Sequence, residues 1–321
     1  MSKRSAVPPP VTAVLDASSR WLPARLGEVE EQLREQSRGH GELLSADLET
    51  TLAAGGKRLR PLLVLLCAGA DGGEEAVRAA TAIELVHMAT LVHDDVLDAA
   101  PLRRGQPTIA AVSGRPRAVA AGDLLFSRAF AFLAEHGDSR SVSLLAEASA
   151  ALARGELAQR QDAFDLTISE QRYLERCRLK TAKLFECACR MGSDSEALGA
   201  FGAEIGLAFQ LLDDVLDVSG PAERTGKARG TDLLDGTVTL PLIVAAAEDS
   251  SLRSADLRAL DPASAEALCD RIAASGALDQ VRSRALAMAA AAKGRLDAAA
   301  FDPEQRQLLD LVADGVVQRY S

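Results

Sequence analysis

The acidic pentapeptide Asp94-Asp95-Val96-Leu97-Asp98 recurs unchanged as Asp213-Asp214-Val215-Leu216-Asp217. Apolar residues lead into both copies, Leu91-Val92 ahead of the first and Leu211-Leu212 ahead of the second. On a helix, the first and last aspartates of each copy are four residues apart and share a face. Like charges at that spacing repel, and a carboxylate buried without a partner is costly. Two such clusters therefore call for cations. Oxygen-only donors of this kind suit Mg²⁺, which takes one or two carboxylates and fills its shell with water and phosphate oxygens. A lone DDxxD would read as a solvated acidic face. The repetition and the apolar flanks favour metal.

Basic residues accompany the acidic ones. In Gly55-Gly56-Lys57-Arg58-Leu59-Arg60-Pro61, Lys57 and Arg60 fall at an expected helix start, where backbone N–H groups also favour an anion. Arg103 and Arg104 follow the first cluster directly, Lys180 and Thr181 lie between the clusters, and Lys227 lies after the second. Carboxylates for metal together with separate Lys and Arg groups are what two diphosphates would require, one held through metal and one through direct ion pairs. Any one of these basic pairs alone is an ordinary solvated pair; their shared placement beside acidic helix ends makes them anion ligands. His87 alone would be a satisfied core histidine, but it lies seven residues before Asp94, on nearly the same helical face. His93 adjoins the cluster and points elsewhere.

The elements that must carry these groups are helices. Of the 321 residues, 48% are hydrophobic but only 3% aromatic, a mixture that favours helix and offers few runs suited to strands. Apolar residues recur at helical spacing from about 11 to 36. A long periodic segment over about 74–99 ends in the first acidic cluster, and further segments run over 117–136, 139–163, 169–191 and 195–219, the last ending in the second. Helices resume over 238–247, 252–259, 263–275, 277–299 and 303–320. Proline and glycine mark loops near 101–107 and 220–231. The expected organisation is a disordered leader over residues 1–10, with its three prolines, and one all-α domain over 11–321 built as a bundle of long helices. The pentapeptide repeats without its flanks, which argues against tandem repeats.

A formal charge of −10 argues against a nucleic-acid footprint or adhesion to an anionic membrane. The five cysteines show no zinc-like spacing and are expected as reduced core thiols. The longest strongly apolar run, 61–70, is about half the ~20 residues a membrane span needs, so a cytoplasmic protein is expected, with at most transient membrane contact on product release.

The joint pattern resembles the trans-isoprenyl diphosphate synthases, the polyprenyl synthetase family. The stretches that carry the resemblance are GGKRLRP (55–61), ELVHMATLVHDDVLDAAPLRRGQPT (84–108), AGDLLF (121–126), GELAQ (155–159), KTAKLF (180–185), FQLLDDVLD (209–217) and GKARGTDLLDGTVTLP (226–241). It implies an all-α, isoprenoid-synthase-like fold around a central substrate tunnel, a homodimer, Mg²⁺ as cofactor, and isopentenyl diphosphate and an allylic diphosphate primer as substrates. By the same resemblance Asp94, Asp98 and Asp213 hold metal, with Asp95, Asp214 and Asp217 supporting them. Arg103 meets the allylic diphosphate, and Lys180, Thr181, Gln210 and Lys227 line that side. Lys57, Arg60, His87 and Arg104 hold isopentenyl diphosphate. The implied reaction ionises the allylic C–O bond with metal and cations stabilising the leaving diphosphate; the double bond of isopentenyl diphosphate then attacks, and a proton is lost. One departure stands out: many relatives carry lysine where this chain has Thr237.

Product length turns on what lies below the first cluster. Thr90 and Ala89 stand four and five residues before Asp94, roughly 6–7.5 Å along a helix that rises about 1.5 Å per residue. An aromatic there would stop the growing tail early; small residues leave the tunnel open, and its floor is expected at Val86 and Ile83 with Phe126, Phe130 or Phe132 from a neighbouring helix. HMATLVHDDV resembles long-chain synthases of heptaprenyl to decaprenyl type, with geranylgeranyl or farnesyl diphosphate synthase as the alternative. A terpene cyclase would lack the GGKRLRP site, and a non-catalytic partner subunit would have eroded aspartates.

Overall fold

The computed structural model describes residues 9–18, 21–53, 55–220, 229–297 and 301–318. Among them the architecture is helical apart from one small hairpin. The first helices are α1 (Pro9–Ala17), α2 (Trp21–Gln36), α3 (Glu42–Ala53), α4 (Leu59–Ala68) and α5 (Gly73–Leu97). After the hairpin strands β1 (Leu102–Arg103) and β2 (Gln106–Pro107) come α6 (Ile109–Ser113), α7 (Arg115–Glu135), α8 (Ser139–Gln161) and α9 (Glu170–Cys177). A π-type turn over Arg178–Ala182 leads into α10 (Lys183–Gly192) and α11 (Glu196–Ser219). The chain closes with α12 (Thr231–Leu234), α13 (Leu240–Glu248), α14 (Ser250–Arg253), α15 (Pro262–Ala274), α16 (Ala277–Leu296) and α17 (Pro303–Gln318).

Local chemistry explains the boundaries. Asp138, Ser169, Ser195 and Asp261 each accept a backbone N–H from their helix's first turn, supplying the N-caps of α8, α9, α11 and α15. One cluster of buried apolar side chains runs from Val14 to Val316, so helices from both ends of the chain share a core. Small residues set the closest crossings. A Cβ added at Gly202 would stand 2.6 Å from the Phe185 carbonyl oxygen, and one at Gly206 would stand 2.8 Å from the Ala182 Cα. These two glycines, four apart on α11, let α10 and the π-type turn press against it.

Several expectations need correction. The helical pattern over 169–191 is interrupted by the π-type turn, which adds a residue to one turn just where Lys180 and Thr181 occur. The segment 252–259 is the short α14 followed by a single 3₁₀ turn at Leu257–Ala259, started by the Asp256 carboxylate accepting from Arg258 N. The pattern over 11–36 is two helices, α1 and α2. The loop near 101–107 contains a register-paired hairpin, Leu102 opposite Pro107 and Arg103 opposite Gln106. Of the expected leader, residues 1–8 lie outside the described residues, while Pro9 and Pro10 open α1, where a missing N–H costs nothing. All five cysteines are buried and free.

Candidate active site

Each acidic pentapeptide divides its aspartates in the same way. At the end of α5, Asp94 is half-buried and Asp98 exposed, whereas Asp95 is turned inward and buried. Arg103, from β1, donates through Nε to Asp95 Oδ1 at 2.6 Å. Asp98 caps α5, its N–H donating to the Asp94 carbonyl at 2.8 Å. On α11, Asp213 is exposed and Asp217 half-buried, and Asp214 is again the buried one, 3% exposed. Asp214 accepts from the Tyr173 hydroxyl and from Gln210 Nε2, the latter at 2.8 Å. One carboxylate of each cluster, Asp95 or Asp214, is therefore buried, and the other two are half-buried or exposed.

Burial pushes the Asp94 carboxyl above its ordinary range, Lys180 and Arg103 pull it down, and Glu156 and Asp98 push it further up. For Asp214, burial and the neighbouring Asp232 and Asp213 outweigh the two hydrogen bonds, and its pKa rises to about 8. Negative charge is thus held at a cost here, and a cation would relieve it.

The π-type turn connects the two clusters. The Lys180 ammonium acts on Asp94 and forms an ion pair with Glu156 Oε2 at 2.5 Å. The next residue, Thr181, donates to Gln210 Oε1 at 2.7 Å, and Gln210 reaches Asp214. Gly155 of α8 makes this placement possible: a Cβ there would stand 2.5 Å from Lys180 N. Sequence reasoning missed Glu156, Arg160 and Tyr173. Glu156 and Arg160 had a signal, an i,i+4 acid–base pair that starts in the GELAQ stretch and ends on the residue after it; Tyr173 had none.

Across α5 lies a cationic cradle. Arg58, in the left-handed region with φ 47°, bonds Glu30 Oε1 on α2 at 2.5 Å and the buried Glu84 Oε1 on α5 at 2.7 Å. Arg60 is half-buried, its guanidinium 4.6 Å from the centre of the Phe185 ring and its buried Nε without a hydrogen-bond partner. Burial lowers the Arg60 pKa to about 10 even with Glu84 nearby. Gly56 lies beneath the guanidinium groups of Arg104 and Arg58, 3.1 and 3.2 Å from where its Cβ would be, beside Lys57. His87 faces the same cradle: burial, then Arg60, Arg104, Arg58 and Arg103, hold its pKa well below the usual histidine range. Neutral His87 can donate a hydrogen bond without adding charge. A cleft of about 120 Å³ opens beside the hairpin, lined by Arg58, Glu84, Met88, Asp95, Arg103 and Arg104. Lys227 lies outside the described residues.

The residues expected to set product length sit on the facing pair α5 and α7. Ala89, Val86 and Ile83 are fully buried, and Thr90 is buried with its hydroxyl donating to the His87 carbonyl at 2.8 Å. Phe126 and Phe130 are half-buried on α7, Phe126 stacking on His93 at 5.8 Å. Phe132 packs edge-on against His136 near the far end of α7. His93 does point away from the acidic cluster, onto Gly122 of α7.

The donor set fits a substrate-bridged cation. Among the described residues no three His, Cys, Asp or Glu side chains converge closely enough to hold an ion alone. One or two carboxylates from each cluster, completed by diphosphate oxygens, is the coordination that hard divalent cations adopt. The orphaned Arg60 Nε fits an anion of the same kind.

The sequence model described as polyprenyl synthetase matches residues 41–270. The chain is 42% identical over 248 residues to heptaprenyl diphosphate synthase component 2 of Geobacillus stearothermophilus, covering 73% of this chain and 77% of that one. It is 38% identical over 202 residues to the octaprenyl diphosphate synthase of Escherichia coli, covering 60% of this chain and 62% of that protein. Among solved structures it resembles a polyprenyl synthase from Caulobacter crescentus complexed with calcium and isoprenyl diphosphate, with a TM-score of 0.90, 34% identity and both chains covered in full. A decaprenyl diphosphate synthase from Rhodobacter capsulatus gives a TM-score of 0.88 at 33% identity, covering 97% of this chain and 99% of that one. No helix among the described residues is long and apolar enough to cross a membrane.

Proposed function

The chain belongs to the polyprenyl synthetase family, and on that premise we propose that it condenses isopentenyl diphosphate with an allylic diphosphate to make a trans-polyprenyl diphosphate of heptaprenyl to decaprenyl type. The observation that carries this reading is the π-type turn over Arg178–Ala182, which reaches one acidic cluster through Lys180 and the other through Thr181 and Gln210. Two acidic helix ends linked through the turn that carries Lys180 suit a metal-bound diphosphate. A separate cradle of Lys57, Arg60, His87 and Arg104 suits a second, metal-free one.

Asp94, Asp98 and Asp213 would hold Mg²⁺, with Asp217 beside them. Mg²⁺ supplies, when bound, charge neutralisation of the departing diphosphate. Asp95 and Asp214 fix the clusters from behind, through Arg103 and through Tyr173 and Gln210. Lys180 presents its ammonium to the allylic diphosphate as the C–O bond breaks and negative charge grows on the leaving group. Arg60 and Lys57 hold isopentenyl diphosphate by its own diphosphate, and His87 donates to it in neutral form. Its double bond is thereby fixed against the allylic cation. Ala89 and Thr90 leave room for the tail below the metals. The working unit is read as a homodimer, which rests on the resemblance to the family.

Product analysis tests this. With radiolabelled isopentenyl diphosphate, farnesyl diphosphate and Mg²⁺, chromatography of the dephosphorylated products should show a long chain, abolished by chelation. Ala89→Phe, whose ring cannot be absorbed by a close-packed wall, should shorten the product while keeping the first condensation. A wild type that stops at farnesyl or geranylgeranyl length, or an unchanged product from Ala89→Phe, refutes the chain-length assignment.

A further inference from the structure

A linked row of alternating charges runs beside the first acidic cluster, and two of its members, Glu156 and Arg160, have no part in the roles above. Glu156 on α8 holds Lys180 Nζ at 2.5 Å through Oε2 and accepts from Arg160 Nε at 2.8 Å through Oε1. Arg160 in turn donates from Nη2 to Asp98 Oδ1 at 2.7 Å. The row Lys180–Glu156–Arg160–Asp98 spans three elements: the π-type turn, α8 and the end of α5. The side chain of Glu156 is enclosed, 13% exposed, while that of Arg160 is 39% exposed and reaches over Asp98 from the solvent side. Burial alone would raise the Glu156 carboxyl, but Lys180 and Arg160 overrule it and hold it below its ordinary range. Glu156 is therefore a fixed anionic pivot with a cation on each oxygen.

We propose that Arg160 is a further positioning residue for the allylic diphosphate, paired with Asp98 before substrate arrives and transferred to a phosphate oxygen once a cation claims that carboxylate. This rests on the prenyl-transfer reading above. The geometry makes the transfer inexpensive. Nε keeps its bond to Glu156 throughout, so only the Nη2 end of the fork changes acceptor, and the guanidinium is already ordered. Asp98, Arg160 and Lys180 then act together, because the same pivot that seats Arg160 also seats the ammonium beside Asp94. Two consequences follow with opposite signs. Divalent metal without substrate must displace Arg160 from Asp98, so the arginine weakens binding of metal alone. Metal together with diphosphate gains a charge-assisted hydrogen bond, so the arginine strengthens binding of the allylic substrate.

Arg160→Leu and Arg160→Lys in the full-length protein separate these effects. Mg²⁺ alone is titrated and followed by the rise in Tm; in Arg160→Leu the half-saturating Mg²⁺ concentration should fall several-fold, with Arg160→Lys between it and wild type. In steady-state turnover, Arg160→Leu should raise KM for farnesyl diphosphate about tenfold, the effect of losing one charged hydrogen bond, and leave KM for isopentenyl diphosphate within about twofold. Arg160→Lys should recover part of the difference. An active wild type with a folded Arg160→Leu variant unchanged in both readouts overturns the inference alone, as does an equal rise in the two KM values. A wild type without prenyl-transfer activity overturns the functional reading and this inference with it.

Discussion

Gly155→Ala should separate the stability of helix α8 from the position of the catalytic turn. Alanine in a helix interior is favoured over glycine by about 1 kcal/mol. Gly27, exposed on α2 with nothing within 4 Å of an added Cβ, provides the reference: Gly27→Ala should show that gain undiminished. At Gly155 the added Cβ would stand 2.5 Å from Lys180 N, 2.9 Å from Lys180 Cα and 3.0 Å from the Leu179 carbonyl carbon. All three are backbone atoms, so no side chain can swing aside, and restoring ordinary contact means opening the crossing by about 1 Å. Overpacking of that kind costs about 1–3 kcal/mol. Against wild type, Gly155→Ala should therefore range from neutral to about 2 kcal/mol destabilised, and it should lie about 1–3 kcal/mol below Gly27→Ala. Urea unfolding with unchanged slope measures the gap. The displacement falls on Lys180 and Thr181, and a shift of about 1 Å in a positioned group can cost up to about 10²-fold in rate. A Gly155→Ala protein as stabilised as Gly27→Ala and fully active would refute both the close crossing and the role given to the turn.

Arg58→Ala should strip the Arg58 ion pair from Glu84, whose side chain is 3% exposed, and cost about 3–5 kcal/mol in urea unfolding. Adding Glu84→Gln should recover a large part of that loss; a double variant no more stable than Arg58→Ala would mean that the buried charge is not the cause. His87 supplies a pH dependence with a definite sign. Its folded pKa is depressed, so below its ordinary value of 6.5 the unfolded chain takes up a proton that the native protein refuses, and stability is lost as pH falls below 6.5. The slope from this one group approaches about 1.4 kcal/mol per pH unit roughly one unit below pH 6.5 and is about half that at pH 6.5, and His87→Gln should flatten the wild-type stability profile accordingly. An identical slope in both proteins would show that His87 protonates equally in the folded state.

Helix spans were legible because apolar spacing and caps act locally: the segments over 195–219 and 277–299 correspond to α11 and α16 with ends displaced by at most three residues. The interruption at Arg178–Ala182 was not legible, because a π-type turn is chosen by what crosses it, here Gly155 of α8 and Gly206 of α11, and not by its own residues. The same holds for chemistry. Lys180 and the aspartates stood out by type and repetition, whereas Glu156 looks like any helix-surface acid until the fold sets Lys180 and Arg160 on its two oxygens. Tyr173 was invisible for a related reason: its partner Asp214 is 41 residues away.

The repeated pentapeptide also contains a division of labour that its helical phase dictates. At about 100° per residue, positions one and five of the repeat differ by about 40°, while position two is turned about 100° from position one. If the first and last aspartates face the substrate opening, the second must face the protein. There the fold provides for it in two different ways: Asp95 meets a guanidinium, a full opposite charge, and Asp214 meets a phenol and an amide, which leave its pKa near 8. The two clusters are therefore unequal before any ligand arrives. The α5 cluster already has counter-ions in Arg103, Lys180 and Arg160, and a cation entering there competes with resident positive charge. At Asp214 the hydrogen bonds come from a phenol and an amide, and burial with the neighbouring Asp232 and Asp213 keeps its carboxyl raised, so a cation arriving there would relieve that cost. The identical sequences thus meet different surroundings, and at the second aspartate the difference is what the fold packs behind it, Arg103 against Asp95 and Tyr173 with Gln210 against Asp214.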